Sequence, residues 1–85
     1  KSDIFKYLNV NNDQFDIIFA DPPYNFDIKK YELIIDIIFK SKIITNNGLL
    51  IIEHSNKIEL NKFKKYYQTR KYGGCFFSFF KNINN

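Results

Sequence analysis

The sequence predicts an α/β domain built on a parallel pair of strands, and three segments indicate it. Phe15–Ala20 and Leu49–Glu53 are short, nearly continuous apolar runs, typical of strands inside a sheet covered on both faces. Between them, Lys29–Lys40 carries apolar residues at helical spacing. A strand, a helix and a second strand in this order form a right-handed crossover, so we expect the two strands to be parallel neighbours.

The segment before the first strand has a weaker pattern. Ser2–Leu8 is compatible with a short helix or a strand end, and Asn9–Gln14 is polar enough to predict a loop. Phe15–Ala20 should end at Pro22-Pro23, because proline has no N–H to donate to a sheet ladder. In the helix that follows, Asp27 is the expected N-cap. The buried stripe of that helix should consist of Tyr31, Ile34, Ile35 and Ile38.

The carboxyl-terminal part predicts a hairpin. Asn46-Asn47-Gly48 is a strong turn signal, and Lys57–Phe63 indicates a short helix. Tyr66–Tyr72 and Cys75–Phe80 flank Gly73-Gly74, which predicts two antiparallel strands joined by a tight turn. Phenylalanines alternate onto both faces of the last strand, so we expect it inside the sheet, between its hairpin partner and the second parallel strand.

Length and composition limit the possible classes of protein. The 85 residues allow one small domain, which we place at residues 1–81 with an Asn-rich tail at 82–85. A hydrophobic content of 45% excludes a disordered chain. The single cysteine, Cys75, rules out an internal disulfide and a cysteine metal cluster, and we expect it to be a small core residue. This lone cysteine leads us to expect a protein of the reducing cytoplasm without a metal. No apolar run reaches the roughly 18 residues of a membrane helix.

The motif that carries chemistry is Asp21-Pro22-Pro23-Tyr24, directly after the first buried strand. An exocyclic base amine is a poor nucleophile, since its lone pair is delocalised into the ring. The Asp21 carboxylate and the Pro22 carbonyl are suited to accept hydrogen bonds from such an amine and free that lone pair. The two prolines stiffen the loop, so that the acceptors are placed in advance. Tyr24 offers a ring face on which an extruded base can stack.

Each of these residues also has a structural interpretation. As a bare tetrapeptide the motif is more often a strand-ending loop, and only its place between a buried strand and a helix makes it specific. His54, the only histidine, is more often structural at a strand end than catalytic. The basic stretch Lys62, Lys64, Lys65, Arg70 and Lys71 is either an RNA-facing patch or a solvated surface, and the net charge of +4 agrees with both.

With these residues in place, the chain resembles the carboxyl-terminal half of the bacterial small-subunit rRNA guanine-N2 methyltransferase family (RsmD-type). The resemblance rests on four stretches of the chain: Phe15–Tyr24, Gly48–Ser55, Arg70-Lys71-Tyr72-Gly73 and Phe77-Ser78-Phe79-Phe80. The Asp-Pro-Pro-Tyr motif alone is shared with adenine-N6 methyltransferases. Glu53-His54-Ser55 and the Arg-Lys-Tyr-Gly hairpin favour the rRNA family.

The resemblance implies the carboxyl-terminal half of a Rossmann-like class I AdoMet-dependent methyltransferase fold, with sheet order 4-5-7-6. It implies that S-adenosyl-L-methionine (AdoMet) is the methyl donor, with Asp3 and Asp21 in contact with it. Asp21, Pro22, Pro23 and Tyr24 are the implied catalytic residues. The implied partner is 16S rRNA or a small-subunit assembly intermediate. The implied amino-terminal half, with its Gly-rich loop, would lie outside this chain, so we expect residues 1–85 alone to be inactive.

Two alternatives stay open at this point. One is a fragment of an adenine-N6 DNA methyltransferase, and the other is a non-catalytic RNA-binding or assembly protein. We also expect Phe15–Ala20 to have an unpaired edge, because the strand beside it in the intact fold would be missing. Such an edge favours self-association of the isolated chain.

Overall fold

The computed structural model describes residues 5–11, 14–22 and 27–83, with the side chains of 5–11 excepted. Within these residues one sheet has the order β1-β2-β3-β5-β4, and one helix follows β2. The elements are β1 (Phe5–Asn11), β2 (Gln14–Ala20), α1 (Ile28–Lys40), β3 (Ile44–His54), β4 (Tyr66–Tyr72) and β5 (Cys75–Lys81). The fold is the partial Rossmann-like α/β sheet that the sequence predicts.

The parallel pair and its crossover helix are confirmed. β2 lies parallel to β3, with Ala20 opposite Ile52 at their carboxyl ends. The helix begins after Asp27, whose Oδ1 accepts a hydrogen bond from the Lys30 backbone N–H at 3.1 Å, as an N-cap does. Its buried residues are the predicted stripe, Tyr31, Ile34, Ile35 and Ile38. They form one core with the buried sheet residues Ile18, Ala20, Ile44, Leu50, Ile52 and Phe80.

The predicted place of the last strand is also confirmed. β5 runs antiparallel to β3 on one side and to β4 on the other, so it lies inside the sheet. Tyr72 pairs with Cys75 across the Gly73-Gly74 turn, and Gly73 takes a φ of +60°, which favours glycine. With β2 and β3, the hairpin gives the order β2-β3-β5-β4, which matches the implied order 4-5-7-6.

The prediction of a free edge on the first parallel strand is wrong. β1 pairs antiparallel with β2 along its length, from Phe5 opposite Ala20 to Asn11 opposite Gln14. The segment expected to be a loop therefore lies largely in two strands. Unpaired N–H and C=O groups on β2 provide a template for the nearest extended segment, and that pairing outweighs the polar character of Asn9 and Asn11. The argument for self-association through β2 loses its basis.

Two local predictions after the helix are also wrong. Residues 57–63 form successive turns instead of a helix, with Ile58 donating to the Ser55 carbonyl and Phe63 to the Leu60 carbonyl, both at 3.3 Å. So short a segment gains little from helical hydrogen bonds, and burial of Leu60 decides its path. Cys75 is exposed at the hairpin end of β5, because the last strand buries its residues only from Ser78 onward.

The Asn46-Asn47-Gly48 signal lies within β3, where it produces an irregularity instead of a chain reversal. The pairing with β2 jumps from Ile44 to Leu49 while β2 advances only from Phe15 to Ile17, and Asn47 takes a φ of +67°. The extra residues bulge out of the ladder, which turn-forming residues tolerate.

Asn82 closes this bulge. Its side-chain Nδ2 donates to the carbonyls of Ile44 and Thr45 at 3.2 and 3.0 Å, and its backbone exchanges hydrogen bonds with Asn47 and Gly48 at 2.8 Å. The first residue of the predicted tail is therefore held by the sheet, while the boundary between domain and tail stays a prediction.

The two faces of the sheet differ in cover. The face that packs on α1 is buried, whereas the alternate residues of the inner strands are only half-buried: Ile17, Phe19, Leu49, Ile51, Phe77 and Phe79. The sequence predicts cover on both faces, and in the described part of the chain one face has a helix. No helix of the described residues is long and apolar enough to cross a membrane.

Gly48 gives a test of the bulge. A Cβ at this buried position would lie 2.8 Å from Ile44 Cγ1 and 2.9 Å from the Thr45 carbonyl oxygen, and backbone cannot easily move aside. We expect Gly48→Ala to lower the free energy of unfolding by about 1–3 kcal/mol, the usual cost of overpacking. Urea denaturation measures it, with Gly74→Ala as the matched control because no atom lies within 4 Å of its added Cβ. Equal stability of the two variants would contradict the bulge geometry.

Candidate active site

A cleft of about 370 Å³ opens at the carboxyl ends of the parallel strands, where α/β proteins commonly bind ligands. One wall is the end of β2, and the opposite wall is the turn of the β4–β5 hairpin. Helix α1 and the residues after β3 complete it. The cleft is lined by Asp21, Pro22, Tyr31, Glu53, His54, Ser55, Asn56, Lys71, Gly73, Gly74, Cys75 and Phe76.

The structure places the first two motif residues at this cleft. Asp21 is exposed directly after β2, whereas Pro22 is buried beneath it. The exposed Asp21 directly precedes a buried proline, whose ring restricts the backbone that carries the carboxylate. Such restriction suits a carboxylate that must be placed in advance. Pro23, Tyr24 and Asp3 lie outside the described residues, so their predicted roles stay predictions.

Tyr31 belongs to the site, although the sequence analysis assigned it only to the buried stripe of α1. The residue is 1% exposed, yet it lines the cleft. Burial, and then the negative charge of Asp21, raise the pKa of the Tyr31 hydroxyl above its ordinary value of 10.0. The phenol therefore remains protonated in the electrostatic field of Asp21. A tyrosine in an otherwise isoleucine stripe is the signal that could have found it.

His54 is a fixed part of the cleft wall. Its Nδ1 lies 2.9 Å from the Ser55 carbonyl oxygen, and its Nε2 lies 2.7 Å from the Ser78 hydroxyl. The imidazole ring meets Tyr31 edge-on with 6.4 Å between centroids, and the Phe76 ring lies 6.2 Å away. Burial lowers the pKa of His54 below its ordinary value of 6.5, which keeps the ring neutral.

The hairpin side of the cleft carries the remaining polar groups. A side-chain hydrogen bond to Glu53 is the main cause that raises the pKa of the Cys75 thiol above 9.0, so the thiol stays protonated. The Lys71 ammonium lies 5.9 Å from the centroid of the Phe76 ring. Among the described residues, the cleft therefore has the carboxylates of Asp21 and Glu53 and the ammonium group of Lys71. Within the described residues, no three side chains of metal-binding type lie close enough to hold a metal ion.

The fold and the cleft define a class of protein. A parallel β2–β3 pair is joined by a crossover helix and followed by a hairpin whose last strand, β5, lies between β3 and β4. This arrangement forms one half of a Rossmann-like methyltransferase sheet. The position of Asp21 at the carboxyl end of β2 agrees with that class.

The chain belongs to the RsmD-type family whose sequence profile, described as "Conserved hypothetical protein 95", matches residues 1–81. A curated relative is ribosomal RNA small subunit methyltransferase D of Buchnera aphidicola, 31% identical over 94 aligned positions. That alignment covers 100% of this chain and 44% of the relative. The chain therefore spans less than half the length of the curated relative it matches.

Solved structures show the same fold. A candidate methylase of Haemophilus influenzae superimposes with a TM-score of 0.64 and 20% identity, over 93% of this chain and 48% of that one. A candidate methyltransferase of Escherichia coli gives a TM-score of 0.60 with 12% identity, over 85% and 40% of the two chains. A hypothetical protein of Thermus thermophilus gives 0.60 with 20% identity, over 80% and 36%. Identities this low establish the fold alone.

The buried neutral His54 predicts a specific dependence of stability on pH. Because its pKa is lower in the folded than in the unfolded protein, the unfolded chain takes up more protons as the pH falls below about 6.5. We expect the contribution of His54 to be fully present above that pH and to be lost progressively below it. Thermal denaturation between pH 8 and pH 5 measures the effect.

The chain has a single histidine, so a His54→Gln variant is a clean control. Carboxylates titrate mainly below pH 5 and act alike in both proteins. The variant should lose less stability than the wild type between pH 7 and pH 5. Parallel curves for the two proteins would contradict a buried, neutral His54.

Proposed function

We propose that the protein containing this chain transfers a methyl group from AdoMet to the exocyclic N2 of a guanine in small-subunit rRNA. The observation that carries the proposal is the exposed Asp21 carboxylate, which lines the cleft directly after a buried parallel strand. Membership of the RsmD-type family and the name of the curated relative support the reaction and the class of substrate.

Asp21 performs the central step as a hydrogen-bond acceptor. The amine of guanine shares its lone pair with the ring, and a carboxylate that accepts from the amine N–H favours the pyramidal form in which the lone pair is available. The Pro22 carbonyl is the second acceptor in the proposal. Fixed acceptors need no reorganisation when charge develops on the nitrogen, which is why the restricted backbone at Pro22 matters.

The other walls of the cleft keep this arrangement in place. Tyr31 presents a protonated phenol in the field of Asp21, and His54 presents a neutral ring, so neither adds a competing charge beside the amine. Both are buried, which limits the water that can solvate the reacting groups. Tyr24 supplies the stacking face for the guanine in this proposal.

AdoMet, when bound, supplies an electrophilic methyl group on a positively charged sulfonium. The residues present fit part of such a donor, because the carboxylates of Asp21 and Glu53 line the cleft and favour a cation there. Asp3 remains a proposed contact with the donor. The three glycines of the chain lie in the β3 bulge and the hairpin turn. In this proposal the chain therefore supplies the residues that bind the target amine, whereas the Gly-rich loop belongs to the implied amino-terminal half.

The rRNA partner is supported by charge as well as by family. Basic residues cluster in the last third of the chain, where they follow the turns after β3 and the edge strand β4: Lys62, Lys64, Arg70 and Lys71 are exposed, and Lys65 is partly buried. Neutralisation of phosphates by such a surface makes binding strongly dependent on salt. A cytoplasmic location follows from a small-subunit rRNA substrate and is part of the proposal.

Asp21 gives the direct test. We expect Asp21→Ala in the full-length protein to lower methyl transfer about 100- to 1000-fold, equivalent to about 3–4 kcal/mol for a lost pre-placed electrostatic contact. Asp21→Asn should also be poor, because an amide has one acceptor oxygen and no charge. The assay follows labelled methyl from AdoMet into small-subunit rRNA or its assembly intermediates.

The matched control is Asp36→Ala, which removes an exposed carboxylate from α1 without touching this cleft. It should leave the rate within about 2-fold, the range of ordinary surface substitutions. Near-wild-type transfer by Asp21→Ala would contradict the mechanism. If the protein methylates adenine in DNA and not rRNA, the proposed substrate is wrong, while the proposed role of Asp21 in the site stands. An inactive full-length protein that binds rRNA would favour an assembly role.

A stacking role for Tyr24 makes a separate prediction. Tyr24→Phe keeps the ring face and should have a mild effect, whereas Tyr24→Ala should lose a stacking contribution of about 1–3 kcal/mol. The same methyl-transfer assay separates the two variants. Equal losses in both would assign the role to the hydroxyl instead of the ring.

A further inference from the structure

A chain of hydrogen bonds connects the cleft with the outer strand of the sheet. His54 Nε2 lies 2.7 Å from the Ser78 hydroxyl, which lies 2.8 Å from the Thr69 hydroxyl, which in turn lies 2.7 Å from the Tyr66 hydroxyl. It starts at the end of β3, crosses β5 and ends on β4. We call these four side chains the His54 relay.

The direction of every hydrogen bond in the relay follows from one fixed acceptor. The Ser55 carbonyl can only accept, so the proton of the neutral His54 ring lies on Nδ1, and Nε2 must accept. Ser78 then donates its single proton to Nε2, Thr69 donates to Ser78, and Tyr66 donates to Thr69. The buried members are fully satisfied, since no buried side-chain N or O atom of the described residues lacks a partner.

The relay starts at the His54 ring, which contacts three walls of the cleft. His54 packs edge-on against Tyr31 of α1 and lies beside Phe76 of the hairpin. Through Nδ1 it also holds the Ser55 carbonyl, to which Ile58 N–H donates at 3.3 Å, so it fixes the turn after β3. The orientation of this ring therefore sets the spacing between α1, the turn and the hairpin.

We propose that His54 is a positioning residue for methyl transfer, held by Ser78 so that the walls of the cleft stay aligned with Asp21. This inference rests on the proposed function. His54 is not itself a catalytic acid or base, because both ring nitrogens already have protein partners and the ring is 7% exposed. Its effect is on geometry, and displacements of about 1 Å in a site of this kind can cost about 100-fold in rate.

Three variants distinguish the roles of the two ring nitrogens of His54. In His54→Gln the amide oxygen can lie near the Nε2 position and accept from Ser78. In His54→Asn the amide nitrogen lies near the Nδ1 position and can donate to Ser55, but nothing reaches Ser78. Ser78→Ala keeps the whole ring and removes the bond that orients it. Thr45→Val is the matched control, because it removes a hydroxyl hydrogen bond of 2.9 Å to Asp16, away from the cleft.

The experiment measures kcat and KM for AdoMet and rRNA in the full-length protein, at a temperature where circular dichroism shows each variant folded. We expect Ser78→Ala and His54→Asn to lower kcat about 10-fold or more, with KM within about 2-fold, because alignment changes and binding does not. His54→Gln should stay within about 3-fold of wild type, and Thr45→Val should match wild type.

A role limited to stability gives a different result. Ser78→Ala and His54→Asn would then lower the melting temperature while kcat of the folded proteins stays at the wild-type value, which overturns the positioning role. Absence of methyl transfer in the wild type itself contradicts the proposed function, so the two failures can be told apart.

The relay also has a readout that does not need activity. Nitrogen-15 NMR of His54, the only histidine of residues 1–85, should show a proton on Nδ1 and an unprotonated Nε2, with the Nε2 signal shifted in Ser78→Ala. A proton on Nε2 in the wild-type protein would overturn the relay.

Discussion

The parallel pairing of β2 with β3 is the constraint on which the rest of the structure depends. With Ala20 opposite Ile52, the two strands end side by side, so Asp21 and Glu53 reach the same edge of the sheet. A parallel pair requires a crossover, and α1 supplies it while burying the inner face. The cleft therefore exists because two strands point the same way, and each of its walls is attached to that pair or to the hairpin beside it.

The polar side chains of the cleft differ in whether hydrogen bonds to other protein groups hold them. His54 is held by Ser55 and Ser78, and Glu53 by Cys75, whereas Asp21 stands exposed on the cleft. Burial determines the protonation of the supporting groups, keeping the Tyr31 phenol protonated and the imidazole neutral. Tyr31 and His54 therefore support the site without adding charge, and fixed supporting groups let a pre-placed carboxylate act without reorganisation.

The sequence predicted those parts of the fold that local pattern and short-range turns decide. Continuous apolar runs, one helical stripe and Gly73-Gly74 predicted β2, β3, α1 and the hairpin. The place of Asp21 directly after a strand singled out a residue that lines the cleft, while its catalytic role stays a prediction. It missed what long-range pairing decides: β1 against β2, the closure of the β3 bulge by Asn82, and the exposure of Cys75. The relay was missed for the same reason, because its four side chains lie on three strands and share no sequence pattern.

A crystal structure of the full-length protein with AdoMet bound tests the central claim most directly. The account predicts that the methyl carbon of the donor points into the cleft between Asp21 and the β4–β5 hairpin, with the strand order β2-β3-β5-β4 retained. The distance from that carbon to the Asp21 carboxylate should leave room for one amine between them. A donor whose methyl group faces away from Asp21, or a sheet in which β2 and β3 are no longer adjacent, would contradict it.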